Sequence, residues 1–238
     1  MTTLADLIAQ GGRALIAGAP AGHDSRIIGQ LARLSPAGVL VIARDDMRLM
    51  RVAEGLGFFA PEVERIELPA WDCLPYDRVS PHPEIVSQRV DALATLAAKP
   101  KPDRPRIVLT TVAAALQLVP PRDIWALSSF VVRRGDQLNL EELVTFLQAN
   151  GYVRVETVSE AGDCAVRGGI VDVFPSGRAE PVRIDLFGDE VESLRTFDLN
   201  SQRTTGQVEQ VDLRPVSEVR LDPASIRRFR AGYRLLAA

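Results

Sequence analysis

The sequence predicts an α/β fold: a parallel-sheet domain carrying a phosphate-loop-like turn, degenerate in its chemistry, and a smaller α+β unit. Three observations carry this. Apolar runs alternate with helix-periodic segments through residues 1–127, the order of a βαβ layer. After Pro120-Pro121 the pattern changes to short alternating strands punctuated by glycine turns. The 238 residues, 46% hydrophobic and 25% charged, suit a globular chain with room for more than one core.

The elements follow in order. Arg13–Ala17 is a short apolar strand, and Asp24–Leu34 a helix with Ile27, Ile28 and Leu31 on one face. Gly38–Ala43 (GVLVIA) is a continuous apolar run of the kind buried in a parallel sheet. Asp45–Leu56 is helical with acidic residues in its first turn, and Arg65–Leu68 is a strand. Pro83–Ala98 is a long amphipathic helix opened by Pro and Glu, and the proline-rich segment 99–105 breaks it. Arg106–Thr111 is a buried strand, and Val112–Leu118 a short helix.

A domain boundary falls near 125–130. Phe130–Arg133 is then a strand, Leu140–Asn150 a helix ended by Gly151, and 152–197 a hairpin-rich stretch. Within it Val182, Ile184 and Leu186 alternate with Arg183, Asp185 and Phe187, the period of a half-buried strand. Gly188-Asp189 supplies a two-residue turn with Gly first, as type II′ requires. With the aliphatic trio inward, Arg183 and Phe187 share the outer face, an arrangement suited to docking a partner. Residues 221–238 read as the start of another helix, basic and without a stop signal, which suggests a longer protein.

Composition narrows the function. Cys73 and Cys164 are isolated, and His23 and His82 are too few for a convincing metal site. Cysteine usage fits a cytoplasmic protein. No apolar run approaches the roughly 18 residues of a membrane span, so no membrane partner is expected. The first ten residues lack the pattern of a secretory signal. Net charge is -3, unevenly spread: 129–215 hold 9 basic and 15 acidic residues, whereas 1–128 are balanced and 216–238 are basic. An acidic middle repels a phosphate backbone, so weak DNA binding is expected of this chain alone.

The turn after the first strand sits where a nucleotide would bind. A phosphate loop needs backbone amides around the phosphates, a Lys on the terminal phosphates and a hydroxyl on magnesium. Here Ala17 takes the first Gly position, Gly22 the second, His23 the Lys position and Asp24 the hydroxyl position. A carboxylate at Asp24 faces phosphate charge, and Pro20 removes an amide donor. An ordinary βα turn and a former nucleotide site both fit, and neither predicts ATP hydrolysis.

Several ordered stretches then resemble one family. LPAWDCLPYDRVSPHPEIVSQRVDAL at 68–93, RGGIVDVFP at 167–175, VRIDLFGDEVESLRTFD at 182–198 and DLNSQRT at 198–204 are similar to the N-terminal module of bacterial transcription-repair coupling factors (Mfd), itself related to UvrB. The resemblance covers nearly the whole chain. It implies a domain 1A at 1–127 with a degenerate nucleotide loop, an inserted UvrB-interaction-type domain 2 at 129–213, and the start of domain 1B at 214–238. It further implies that domain 2 docks UvrA through Arg167, Arg183 and Phe187. ATP and magnesium would serve only a motor outside this chain. RNA polymerase and DNA would be partners only through the full-length protein. The implied role is non-catalytic recruitment; the alternatives are a UvrB-like ATP-dependent helicase domain or a stand-alone UvrB-related binding protein.

Blander readings stand beside these. Trp71 to Tyr76 could stack on bases, but without a basic cluster a structural loop packed on domain 1A fits better. Glu84, Arg89 and Asp91 read as a solvated helix face, and both cysteines as packed thiols. Arg167 and Arg183 could pair with Asp185 or Glu192 across the hairpin. Gly168-Gly169 could bulge the strand that carries Arg167. An alanine at Arg183 or Phe187 is expected to cost folding only about 0.5 kcal/mol, as at an ordinary surface position.

Overall fold

A computed structural model describes residues 4–20, 22–74, 77–98, 104–122, 125, 129–219 and 223–236. Part of the proline-rich break at 99–105, Tyr76 and half of the expected boundary at 125–130 lie outside the described residues. The first elements are α1 (Leu4–Gln10), α2 (His23–Leu34), β1 (Val39–Ala43), α3 (Asp46–Phe59), β2 (Glu64–Leu68) and α4 (Pro83–Ala97). Then come β3 (Arg106–Thr111), α5 (Val112–Ala115), β4 (Phe130–Arg133), α6 (Leu140–Ala149), β5 (Val153–Arg154) and β6 (Asp163–Arg167). The last are β7 (Ile170–Val173), β8 (Val182–Phe187), β9 (Glu190–Phe197), β10 (Thr204–Gln207), β11 (Gln210–Leu213) and α7 (Pro223–Leu236). Among the described residues the fold is mixed α/β with three sheets, in two compact units: residues 1–70 with 98–118, and 71–97 with 119–238.

The first unit is a three-stranded parallel sheet in the order β1-β3-β2. Central β3 contributes Ile107 and Leu109, both fully buried, against Leu49, Val52 and Leu56 of α3 and Ala32 of α2. Helices α2 and α3 approach closely because small residues face each other. A Cβ on Gly55 would lie 2.5 Å from Ser25 Oγ, and one on Gly29 would lie 2.9 Å from Ala60 Cβ. Asp45 caps α3 by accepting the Arg48 N–H at 2.8 Å. That bond, first among the causes, holds the Asp45 carboxyl below its usual range.

Two expectations fail in this unit. Arg13–Ala17 is not a strand: residues 11–20 are irregular and exposed. Glycines with positive φ flank the run (Gly12 at 89°, Gly18 at 70°), turning the backbone out of the extended region at both ends. Nor is β1 buried on both faces. Leu40 and Ile42 are 60% and 50% exposed, because among the described elements of this unit α2 and α3 cover the other face. Composition alone could not tell these two cases apart.

The second unit holds a six-stranded sheet in the order β10-β9-β8-β7-β6-β5, antiparallel except for the β5–β6 pair, and a two-stranded β11–β4 sheet. One core joins them. Leu143 and Leu147 of α6 meet Val171, Val182, Ile184 and Leu194 of the large sheet and Val132 and Val211 of the small one. Asn139 caps α6 by accepting from the Glu141 and Glu142 amides. The strand at Gln210–Leu213 closes on Phe130–Arg133, so the two ends of the 130–213 stretch meet in one ladder.

Helix α4 corrects a further reading. Glu84 is exposed and Asp91 half-buried, but Arg89 is not on a solvated face. The Arg89 side chain is wholly buried and pairs with Glu218, while Asp91 accepts from Arg214 Nη1 at 2.7 Å. Trp71 donates its indole N–H to Glu218 at 2.9 Å, and the Arg89 guanidinium lies 5.4 Å from its ring centre. The loop at Trp71 is therefore tied down by Arg89 and Glu218. Cys164 is buried and Cys73 half-buried, and burial pushes both thiols up.

Candidate docking face

Strands β6 to β9 form two hairpins whose turns each begin with a left-handed glycine, Gly168 (φ 59) and Gly188 (φ 62). Gly168-Gly169 makes a two-residue turn, pairing Arg167 with Ile170 and Ala165 with Asp172 without a register shift. The bulge lies instead in the β8–β9 pair, after Asp185↔Ser193. Glu192 is left over on β9 while β8 stays regular. Val182 and Ile184 are fully buried and Leu186 packs on the same core, so Arg183, Asp185 and Phe187 face the other way.

Register fixes what that outer face carries. One row across the strands reads Ala165, Asp172, Arg183, Arg195, and the next reads Arg167, Ile170, Asp185, Ser193. The Asp172 side chain has no exposed surface. It accepts Arg183 Nε at 2.6 Å, Arg183 Nη2 at 2.9 Å and Arg167 Nη2 at 2.5 Å. Asp185 accepts Ser193 Oγ at 2.6 Å and Arg195 Nη2 at 2.6 Å. The Arg183 guanidinium also lies 4.8 Å from the ring centre of buried Phe197. The hydrogen bond to Asp172 raises the Arg183 pKa further, so this cation stays charged at every accessible pH.

The arginines thus pair with Asp172, not with Asp185 or Glu192. Asp172 was missed because the possible bulge at Gly168-Gly169 left the register beyond it open. Taken as a two-residue turn, the same glycines place Asp172 on the face of Arg167. Arg195, cross-strand from Arg183, was missed for want of the β8–β9 register.

Phe187 stands at the tip of the second hairpin and is 78% exposed. Beside it a shallow recess of about 320 Å3 is lined by Arg134, Gly135, Glu190, Val191 and Glu192. The tip is braced from below: Leu138 N donates to Asp189 O at 2.6 Å and Gly135 N to Val191 O at 2.8 Å. The face therefore offers fixed guanidinium edges beside one rigidly mounted, unpacked aromatic ring.

The loop residues lie elsewhere. Gly22, at φ 82, precedes α2 without a side-chain cap, His23 opens the helix in an exposed position, and Ala17 is in the irregular segment. Asp24 forms an ion pair with Arg48 of α3. The structure brings Gly22, His23 and Asp24 together at the helix start but builds no strand before them, and Ala21 lies outside the described residues. No cluster of three or more metal-ligating side chains occurs among the described residues. No helix among them is long and apolar enough to cross a membrane.

Residues 130–219, which hold the six-stranded and two-stranded sheets and the candidate face, match the family described as the UvrB interaction domain. Over most of its length the chain is similar to one part of the transcription-repair-coupling factors (Mfd). It is 34% identical over 213 residues to the transcription-repair-coupling factor of Haemophilus influenzae, covering 90% of this chain and 18% of that protein. It is 35% identical over 208 residues to the Escherichia coli protein, covering 87% and 18%, and 27% identical over 209 residues to that of Bacillus subtilis, covering 88% and 17%. The chain thus spans less than a fifth of the length of these curated relatives.

Proposed function

We propose that this chain is a non-catalytic recruitment module that docks UvrA and so couples stalled transcription to nucleotide excision repair. The observation that carries the proposal is the pairing, on one rigid sheet face, of aspartate-held Arg167 and Arg183 with the exposed Phe187 ring. The arginines would meet acidic groups on UvrA and Phe187 would fill an apolar notch, the mixture typical of interface hot spots. The domain division proposed with it is a degenerate nucleotide domain at 1–127, the docking domain at 129–213 and the start of a further domain from 214. RNA polymerase, DNA, ATP and magnesium would be engaged only by the full-length protein, in the cytoplasm. The Asp24–Arg48 pair supports the absence of a nucleotide from α2, since it sets a carboxylate where a phosphate would lie.

The test is UvrA affinity measured by calorimetry on this chain. Phe187→Ala should weaken binding by roughly thirtyfold, the cost of one hot-spot contact. Unchanged affinity in the Phe187 and Arg167 alanine variants, with normal melting, refutes the docking role.

A further inference from the structure

The Asp172 side chain lies on the outer face with no exposed surface, and it is shared by two arginines. It cannot touch a docked protein. Its two oxygens take a fork from Arg183 and a single bond from Arg167. These bonds leave Arg183 Nη1 and Arg167 Nε and Nη1 without a partner among the described residues. Arg183 has an exposed side-chain fraction of only 19%, so its outward edge is held at the surface rather than waving above it. An unanchored arginine loses rotamer freedom when it is captured, and a forked carboxylate removes that loss beforehand.

The geometry assigns Asp172 the role of positioning residue for the docking face, presetting Arg167 and Arg183 for carboxylates of the partner. This rests on the UvrA-docking reading. It adds a residue that acts only through others, and it couples two arginines that the strand pattern treats as separate contacts.

The experiment is a calorimetric cycle of Asp172→Asn with Arg183→Ala and with Phe187→Ala, each titrated with UvrA. Asp172→Asn alone should weaken binding by about tenfold or more, with binding stoichiometry and cooperative melting retained. Placed on Arg183→Ala it should add less than about threefold; placed on Phe187→Ala it should add its full effect, since coupled sites are non-additive and separate ones add. A nitrogen-15 spectrum of the arginine Nε–H groups provides a readout that needs no partner. The Arg183 signal should exchange slowly in the wild-type protein and resemble exposed arginines in Asp172→Asn.

Several results overturn the assignment: Arg183→Ala weakened with Asp172→Asn unchanged, an Asp172→Asn loss that adds in full to that of Arg183→Ala, or a fast-exchanging Arg183 Nε–H in the wild-type protein. The last holds even where Asp172→Asn does not fold. If Arg183→Ala and Phe187→Ala both bind UvrA normally, the docking reading itself falls and the assignment falls with it.

Discussion

The Arg89 guanidinium has no exposed surface and lies 2.5 Å from a carboxylate oxygen of Glu218, 129 positions further along the chain. The pair fastens the segment after β11 to helix α4, and Trp71 completes it from the side. Removing one member of a buried ion pair strands a charge, which costs about 3–5 kcal/mol. Glu218→Ala should lower the unfolding free energy, read from urea titration, by about that amount. The double change Arg89→Met with Glu218→Leu should recover most of the loss, because apolar replacement removes both charges together. A Glu218→Ala protein as stable as the wild type would mean that the pair carries no net stabilisation.

Arg183 and Phe187 should separate in stability. Phe187 stands clear of the sheet, so Phe187→Ala should change unfolding free energy by less than about 0.5 kcal/mol. Arg183→Ala removes two of the three bonds that the arginines donate to buried Asp172 and the cation above Phe197. It should cost about 1–3 kcal/mol, the penalty for an under-satisfied buried group. The surface-like cost expected of both positions is thus corrected for Arg183. Equal melting of the two variants would refute this difference.

What the sequence revealed depended on the range of the interaction. Val182, Ile184 and Leu186 could be set inward and Phe187 outward from a period of two, because side-chain direction in a strand is local. The αL glycine at 188 was legible for the same reason. Asp172, Arg195 and the Arg89–Glu218 pair were not, since each depends on cross-strand register or on a partner far along the chain. The irregular run at Arg13–Ala17 shows the converse. Apolar composition satisfies the strand pattern, but a strand needs a ladder partner, which composition does not specify.

Helix spacing in the first unit gives a steric test. A methyl group at Gly55 would lie 2.5 Å from Ser25 Oγ and 2.8 Å from Ser25 Cβ. Ser25 cannot swing away freely, because it is buried and donates to Val52 O at 3.3 Å. Gly55→Ala should therefore destabilise by about 1–3 kcal/mol, overriding the helix propensity that favours alanine. In Ser25→Gly/Gly55→Ala the clash is gone, and the melting temperature should rise above that of Gly55→Ala alone. Gly55→Ala melting at or above wild type would show that α2 and α3 can part at no cost.

Asp91 should run against the other acidic groups in its pH dependence. Burial, the largest cause, raises its pKa above 3.8; Arg214 opposes the shift and Asp212 reinforces it. The Gly177 backbone presses on the carboxyl, since a Cβ there would lie 2.3 Å from Asp91 Cγ. A carboxyl with a raised folded pKa contributes stability that is present below its unfolded value and is lost as pH rises through the folded value. Asp45, Glu62 and Asp198 are shifted down and have the opposite sign, losing their contribution as pH falls. Those terms cancel when wild type is compared with Asp91→Asn, which stays neutral throughout. The stability of wild type relative to Asp91→Asn should therefore be greatest near about pH 3 and decline as pH rises above the ordinary aspartate range. Urea midpoints of both proteins between those limits measure the difference directly. A relative stability that instead grows with pH would mean that the ion pair with Arg214 outweighs burial at this site.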